Sequence, residues 1–307
     1  MSSKLSVVIV TYNRRNDLKE CLNSLLNLNE PPSEIIVVDS NSNDGTHELV
    51  KEYPLKFVNI KERSMVKARN TGLQHSKKEI IAYVDDDVVV SKDWAKYILK
   101  PYAYKNVGGV GGRVIPVGHQ EKTINLPEKY RAIGKVFDNG FILNNYDIPT
   151  QNPIEVDTLI GCNMSFRREL LLKIGGFDEN FMGSCFRDDT DISVRVKKLK
   201  YHLICHPKAW VWHKYKGKTV DRKWFYWYSY NHFYFCFKNF QPVNAGKFIN
   251  LLRGAFLPPI SYVRKTNIKF RPDPLAIFYV VLGILEANRM YKNELSLRRG
   301  LHKHESQ

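Results

Sequence analysis

No G-x-G-x-x-G follows the first apolar run of this chain, and no G-x-x-x-x-G-K-[ST] occurs anywhere in it. Dinucleotide dehydrogenases and P-loop nucleotide hydrolases use those loops to bring backbone amides against phosphates, so both classes are set aside. Cysteine is sparse. Cys21, Cys162, Cys185, Cys205 and Cys236 form no C-x-x-C pair, which argues against a zinc ribbon and against a disulfide framework and favours a reducing, cytosolic setting. Long apolar runs are also missing. Leu5 to Val10 is too short for a secretory h-region and gives way to Thr11-Tyr12-Asn13, so no signal peptide is expected. Leu275 to Leu285, the most apolar stretch, falls short of the roughly 20 residues that a spanning helix needs.

What is present is ordinary for a globular protein: 307 residues, 43% hydrophobic and 25% charged, enough for one large α/β domain with a helical extension. The 47 Lys and Arg against 31 Asp and Glu leave +16. That excess favours an anionic partner, whether nucleic acid, a phosphate-bearing substrate or an acidic membrane surface.

Hydrophobic periodicity organises the first third. The spacing predicts a strand over Leu5 to Thr11, then a helix from Asn13 with Leu18, Cys21, Leu22, Leu25 and Leu26 on one face. A strand over Glu34 to Asp39 follows, then a polar turn over Ser40 to Gly45 and a short helix from Thr46. Leu55 to Ile60 reads as a strand, Val66 to Gln74 as a helix and Ile80 to Val84 as a strand. Such alternation predicts a mostly parallel sheet flanked by helices, with ligands gathered at the carboxyl ends of the strands. Those ends carry Thr11 and Tyr12, Asp39, and the triplet Asp85-Asp86-Asp87. Three adjacent carboxylates repel and call for a cation. A hard divalent metal shared with substrate phosphates is the simplest candidate.

The run Gly108-Gly109-Val110-Gly111-Gly112 precedes a strand instead of opening a helix, so it reads as close backbone packing and not as a phosphate cradle. Residues 118 to 152 lack periodicity and read as a loop over the crevice, where acceptor contacts are expected. Further on, Asp188, Asp189 and Asp191 open a helix whose apolar stripe is Ile192, Val196 and Leu199. Helix capping accounts for one carboxylate there, not three.

Together these segments resemble the family 2 glycosyltransferases of the GT-A fold, over about Ser6 to His213. SVVIVTYNR is similar to the family's first strand, VVDSNSNDGT to its acidic turn, and VKARNTGL to its ARNxG segment. YVDDDV stands for the D-x-D motif, GCNMSFRRELLLKIGGFDENF for the acceptor-side block, and RDDTDISVRV for EDxDLxxR. The resemblance implies an inverting transfer of a sugar from a nucleotide-diphosphate sugar to a glycan or lipid-linked acceptor. It places Thr11, Tyr12, Asp39 and Arg69 around the nucleotide, and Asp85 and Asp86 where they contact the ribose side or help to orient the metal. Asp87, with His213, would hold Mg²⁺ or Mn²⁺. Asp189 is implied as general base, with Asp188 beside it where the family usually has Glu; the shorter side chain lets Asp188 or Asp191 compete for that role. The implied organisation is a catalytic domain over 1–215, its nucleotide half about 1–115 and its acceptor half about 116–215, followed by a basic, aromatic helical extension over 216–307.

In that extension, Trp224 to Phe235 is dense in aromatic residues and flanked by Lys214, Lys216, Lys218, Arg222, Lys223 and Lys238. It reads equally as a packed helix and as a membrane-interface belt. Leu275 to Leu285, between Pro272 and Pro274 and the basic Arg289, Lys292, Arg298 and Arg299, reads as a buried or half-inserted helix. Peripheral contact with the anionic inner face of the cell membrane is the resulting expectation. Two other classes fare less well. A nucleotidyltransferase needs glycines that Thr11-Tyr12-Asn13-Arg14-Arg15 lacks. A basic module for nucleic acid leaves the clustered aspartates without a purpose, so no nucleic-acid partner is expected.

Overall fold

The computed structural model describes residues 4–117, 131–214, 221–240, 243–256 and 275–304. The chain forms two compact units. Met1–Lys135, Leu143–Asp178 and Asp188–Lys216 make the first; Val136–Ile142, Glu179–Arg187 and Gly217–Gln307 make the second.

In the first unit the β-branched runs become parallel strands: β1 (Leu5–Thr11), β2 (Glu34–Asp39), β3 (Lys56–Asn59) and β4 (Ile80–Asp85). Ile9 is in register with Val37 on one side and Val84 on the other. Level register brings the strand ends together, so Thr11 lies beside Asp39 and Val10 beside Asp85. Helices α1 (Arg15–Leu26), α2 (Thr46–Val50) and α3 (Met65–His75) connect them. On α1, Leu18, Cys21, Leu22 and Leu25 are fully buried, the i, i+3, i+4, i+7 stripe expected of an amphipathic helix. Each buried leucine contributes up to about 2 kcal/mol. Ser64 caps α3 by accepting from the Lys67 amide at 3.3 Å.

After the acidic triplet come β5 (Val88–Val90), α4 (Trp94–Leu99), a 3₁₀ turn (Lys100–Ala103) and β6 (Val107–Pro116). The region read as loop carries, in its described part, a two-stranded ribbon of β7 (Lys135–Val136) and β8 (Ile142–Leu143); 118–130 lie outside the described residues. Then follow β9 (Ile154–Val156), β10 (Asn163–Arg167), α5 (Arg168–Lys173), α6 (Asp188–Lys198) and β11 (His202–His213). The sheet order is β3-β2-β1-β4-β10-β6-β11-β5, with β9 also on β11. Six strands run one way, and β10, β5 and β9 run against them. The mostly parallel sheet expected from the sequence is therefore present, with antiparallel strands inserted in its second half.

The glycine run falls inside β6, where close packing is its role. A Cβ on Gly112 would stand 1.7 Å from the Ala209 carbonyl oxygen, and one on Gly111 2.6 Å from that of Asn163. Only glycine lets β6 lie this close to its neighbours.

In the second unit, α7 (Arg222–Asn239) is followed by α8 (Ala245–Phe256) and a long helix, α9 (Ala276–His304). Lys216, Lys218, Pro272 and Pro274 lie outside the described residues, as do the side chains of Arg298 and Arg299. The aromatic run divides along α7. Tyr230, Phe233, Tyr234 and Phe235 are fully buried, whereas Trp224 to Tyr228 are only half-buried. Of the two readings of the apolar stretch at the start of α9, buried or half-inserted, the structure excludes burial within the protein. Ile277, Phe278, Val281, Leu282 and Leu285 are 36% to 71% exposed, because small residues make the contact face. Ala276 and Ala287 are buried, and Gly283 packs so closely on α7 that a Cβ would meet the Tyr226 carbonyl at 2.5 Å. No described helix is long and apolar enough to cross a membrane.

Candidate active site

The crevice at the ends of β1, β2 and β4 is lined by carboxylates, each stabilised differently. Asp39 is buried; its Oδ2 accepts from the Ser42 amide at 2.9 Å and from Asn59 Nδ2 at 3.2 Å, while Ser42 Oγ donates to Oδ1. Tyr12 lies under Arg63, whose guanidinium carbon is 4.2 Å from the ring centroid. Asn13, with φ of 50°, turns the chain so that Arg14 reaches back into the acidic triplet.

The triplet is split three ways. Asp86 points inward, accepting from Thr11 Oγ1 at 2.8 Å and from Arg14 Nη1 at 3.1 Å. Burial raises its carboxyl to about 7, against the lowering influence of Arg14 and Thr11. Asp87 takes Arg14 Nη1 at 2.6 Å on Oδ2, and its buried Oδ1 lies 3.1 Å from His213 Nε2 with no other donor reaching it. Burial raises the Asp87 carboxyl, but His213 and Arg14 outweigh it and hold the group below the usual value. Asp85 is the more open of the three, 3.6 Å from Arg69 Nη2.

His213 ends β11, which pairs antiparallel with β5 so that His213 is opposite Val88, one residue beyond Asp87. Burial alone would lower the imidazolium, yet the contacts with Asp87 and then Cys162 lift it to about 11. Arg14, Arg69 and His213 are the cationic groups that the chain itself sets against the triplet.

Arg69 is buried on α3 and links the triplet to α6. Its Nη1 donates to Asp188 Oδ2, and Nη2 approaches both Asp85 and the Gly161 carbonyl, the latter at 3.5 Å. Burial pushes the Asp188 carboxyl up while Arg69 opposes it, and the same pairing overcomes burial to raise the guanidinium. Asp188 is therefore committed to Arg69. Asp191, 0% exposed, is bound to Arg195 Nε at 2.7 Å, whose other nitrogens cap the carbonyls of Ile174 and Gly176 at 2.9 and 2.7 Å. Both carboxylates are thus occupied by guanidinium partners. Asp189 is half-buried and held by amides: Gly161 N donates to Oδ2 at 2.9 Å and Thr190 N to Oδ1 at 2.7 Å.

Ten residues were expected at this site. Contacts join Thr11, Asp86, Asp87 and His213 in one network, and Arg69, Asp85 and Asp188 in a second that reaches Asp189 through the Asp188 carboxylate. Tyr12 and Asp39 stand on their own partners. Sequence reasoning missed Arg14, Gly161 and Cys162. Ligand atoms of Asp85, Cys162 and His213 lie within 4.8 Å of one another, in the only such three-donor group among the described residues. The expected metal pair was Asp87 and His213. The buried Oδ1 of Asp87, which has His213 alone beside it, and this donor group both fit a divalent ion.

A GT-A fold with clustered aspartates at its strand ends is the architecture of a nucleotide-sugar transferase. Residues 6–175, more than half of the chain, match the model of glycosyl transferase family 2, and the chain belongs to that family. It is 27% identical over 230 residues to the probable glycosyltransferase YdaM of Bacillus subtilis, covering 68% of this chain and 50% of that protein. Over 185 residues it is 25% identical to the glucosyl-dolichyl phosphate glucuronosyltransferase of Haloferax volcanii, covering 58% and 56%. The chain spans about half the length of these curated relatives. Among solved structures it resembles the Pyrobaculum calidifontis mannosyltransferase PcManGT in complex with GDP-Man and Mn²⁺, with a TM-score of 0.57, 22% identity and coverage of 97% and 80%. Staphylococcus aureus TarS 1–349 with UDP-GlcNAc gives 0.60, 18%, 92% and 80%. At such identities the likeness establishes the fold.

Proposed function

We propose that the protein is an inverting, metal-dependent glycosyltransferase. It moves a sugar from a nucleotide-diphosphate sugar to a hydroxyl of a glycan or polyprenyl-linked acceptor in cell-surface glycan assembly. The observation that carries this reading is the Arg69 bridge, which puts the acidic triplet and the start of α6 within one buried ion-pair system.

Thr11, Tyr12, Asp39 and Arg69 bind the nucleotide, Asp85 faces the ribose or helps to orient the metal, and Asp86, expected beside it, is turned inward and instead holds Thr11 and Arg14 in place. Asp188 positions Arg69. Asp87 and His213 would hold Mg²⁺ or Mn²⁺, which when bound supplies Lewis-acid neutralisation of charge on the leaving diphosphate. Asp189 accepts the proton of the acceptor hydroxyl as that oxygen attacks the anomeric carbon opposite the leaving group. Its amide contacts fix the carboxylate, and general-base catalysis of this kind is worth about 10² to 10⁴ in rate.

Residues 1–215 are the catalytic domain in this reading, and 216–307 bring it to its acceptor. The exposed stripe on α9 and the half-buried Trp224 to Tyr228 of α7, beside exposed Arg222 and Lys223, support peripheral contact with an anionic cytoplasmic membrane face.

The test is a thermal-shift panel of UDP-, GDP- and dTDP-sugars with Mn²⁺ and with EDTA. Metal-dependent stabilisation by one nucleotide class is expected, worth about 2.7 kcal/mol at 100 times the Kd. A shift with RNA and none with any sugar nucleotide would overturn the reading in favour of a basic binding module.

A further inference from the structure

The structure assigns Cys162 as a third protein ligand of the divalent site, which makes the site thiophilic: it accepts Mn²⁺ and is captured by Zn²⁺ or Cd²⁺. This rests on the reading that a divalent ion binds here.

Strand register produces the arrangement. β10 runs antiparallel to β4 with Asn163 opposite Val84, so the next step of the ladder sets Cys162 against Asp85. β11 delivers His213 to the same place from the other side of the triplet. One sulfur, one carboxylate oxygen and one imidazole nitrogen then lie within 4.8 Å of one another, with Cys162 buried and the other two half-buried. Ligand bonds of about 2.0 to 2.3 Å require separations of about 3.5 Å between donors, so closing the set takes a shift of about 1 Å. Asp87 Oδ1 lies 3.1 Å from His213 Nε2, so the expected pair of metal ligands adjoins this donor group.

The donor types decide which ion is held. Mg²⁺ prefers an octahedron of oxygens and dehydrates reluctantly, so a buried sulfur adds nothing to its binding. Thiolate and imidazole together suit Zn²⁺ and its softer congener Cd²⁺, and at N and S ligands Zn²⁺ also stands above Mn²⁺ in the general affinity order. A tetrahedral shell drawn from these protein donors would leave too few open positions for a chelated diphosphate. Captured Zn²⁺ therefore blocks the donor site.

The experiment uses the full chain and Cys162→Ser. Cd²⁺ is titrated while the thiolate-to-cadmium charge-transfer band is followed in the ultraviolet, and Mn²⁺ binding is read by electron paramagnetic resonance. The wild type is expected to show the band at one equivalent, and Cys162→Ser to lose it. Because changes behind the ligands already cost 10- to 100-fold in affinity, loss of a ligand should weaken Cd²⁺ at least about 100-fold. Mn²⁺ affinity should change by less than about tenfold on the same scale. A wild type that binds Mn²⁺ but shows no cadmium band overturns the thiolate ligand alone. A band that persists in Cys162→Ser belongs to another cysteine and does the same. Absence of Mn²⁺ binding removes the metal reading itself. Where Cys162→Ser misfolds, Cd²⁺ protection of Cys162 against alkylation in the wild type, read by mass spectrometry, decides: full labelling at saturating Cd²⁺ refutes the assignment.

Discussion

Asp189 and Asp191 sit two positions apart on α6 and should answer substitution by asparagine in opposite ways. Asp191 is 0% exposed and carries the charge that holds Arg195, which in turn caps two carbonyls at the Ile174 to Gly176 turn. Asp191→Asn leaves a largely buried guanidinium without its counter-ion, a change that costs about 3 to 5 kcal/mol. At about 2 to 4 °C per kcal/mol for a domain of this size, the melting temperature should fall by about 6 to 20 °C. Turnover below the transition should stay within about tenfold of wild type, because the side chain is fully buried against Arg195 and away from solvent. Asp189→Asn keeps an acceptor oxygen for the Gly161 or Thr190 amide, so its melting temperature should hold within a few degrees, as for the loss of about 1 kcal/mol. Its kcat should fall by about 10² to 10⁴ with donor binding intact. Differential scanning calorimetry and steady-state transfer kinetics on the two variants supply both readouts. An Asp191→Asn that melts normally, or an Asp189→Asn that turns over normally, would refute the division of roles on this helix.

Two more perturbations follow from the geometry. Gly161→Ala would place a Cβ 2.9 Å from Arg69 Nη2 and 3.4 Å from Asp189 Oδ2, so both must move. A kcat loss of about 100-fold with a stability cost of about 1 to 3 kcal/mol is expected, and unchanged kinetics would show that the amide of residue 161 does not set the base. In the second unit, His232 is fully buried, with Arg187 Nη2 3.5 Å from its Nδ1 and Cys236 Sγ 3.6 Å from its Nε2. Burial, and then Arg187, hold its protonation well below 6.5. The unfolded chain takes up that proton at about 6.5 and the folded chain does not, so stability from this group is present above pH 6.5 and lost as pH falls. Urea unfolding at about pH 5.5 should show about 1.4 kcal/mol of this loss, absent in His232→Phe; parallel pH profiles for the two proteins would refute it.

Much of the first unit was readable because its signals are local. The β-branched runs of β1, β2 and β4 and the stripe on α1 each declare themselves within a dozen residues, and level register then brings their acidic ends together. Arg14 was not readable: which way a side chain leaves a turn depends on the positive φ of Asn13, which the sequence does not display. Cys162 became a neighbour of Asp85 only through an antiparallel strand laid into a parallel sheet, a long-range pairing with no local trace. Asp188 and Asp191 are paired with Arg69 and Arg195, partners that one-dimensional spacing does not reveal. On α9 a run rich in Ile, Phe, Val and Leu left burial and half-insertion both open, and composition does not show that the face that packs is Ala276, Gly283 and Ala287.

That outward stripe on α9 makes the protein's behaviour in solution a contest between colloidal forces. Copies carrying +16 repel one another, while Ile277, Phe278, Val281 and Leu285 offer each copy an apolar surface to share. At about 0.01 M salt the repulsion reaches about 30 Å; at about 0.15 M it is screened within about 8 Å, and the apolar attraction meets little resistance. Dilute buffer favours dispersed molecules, and added salt drives them together unless lipid or detergent covers the helix first.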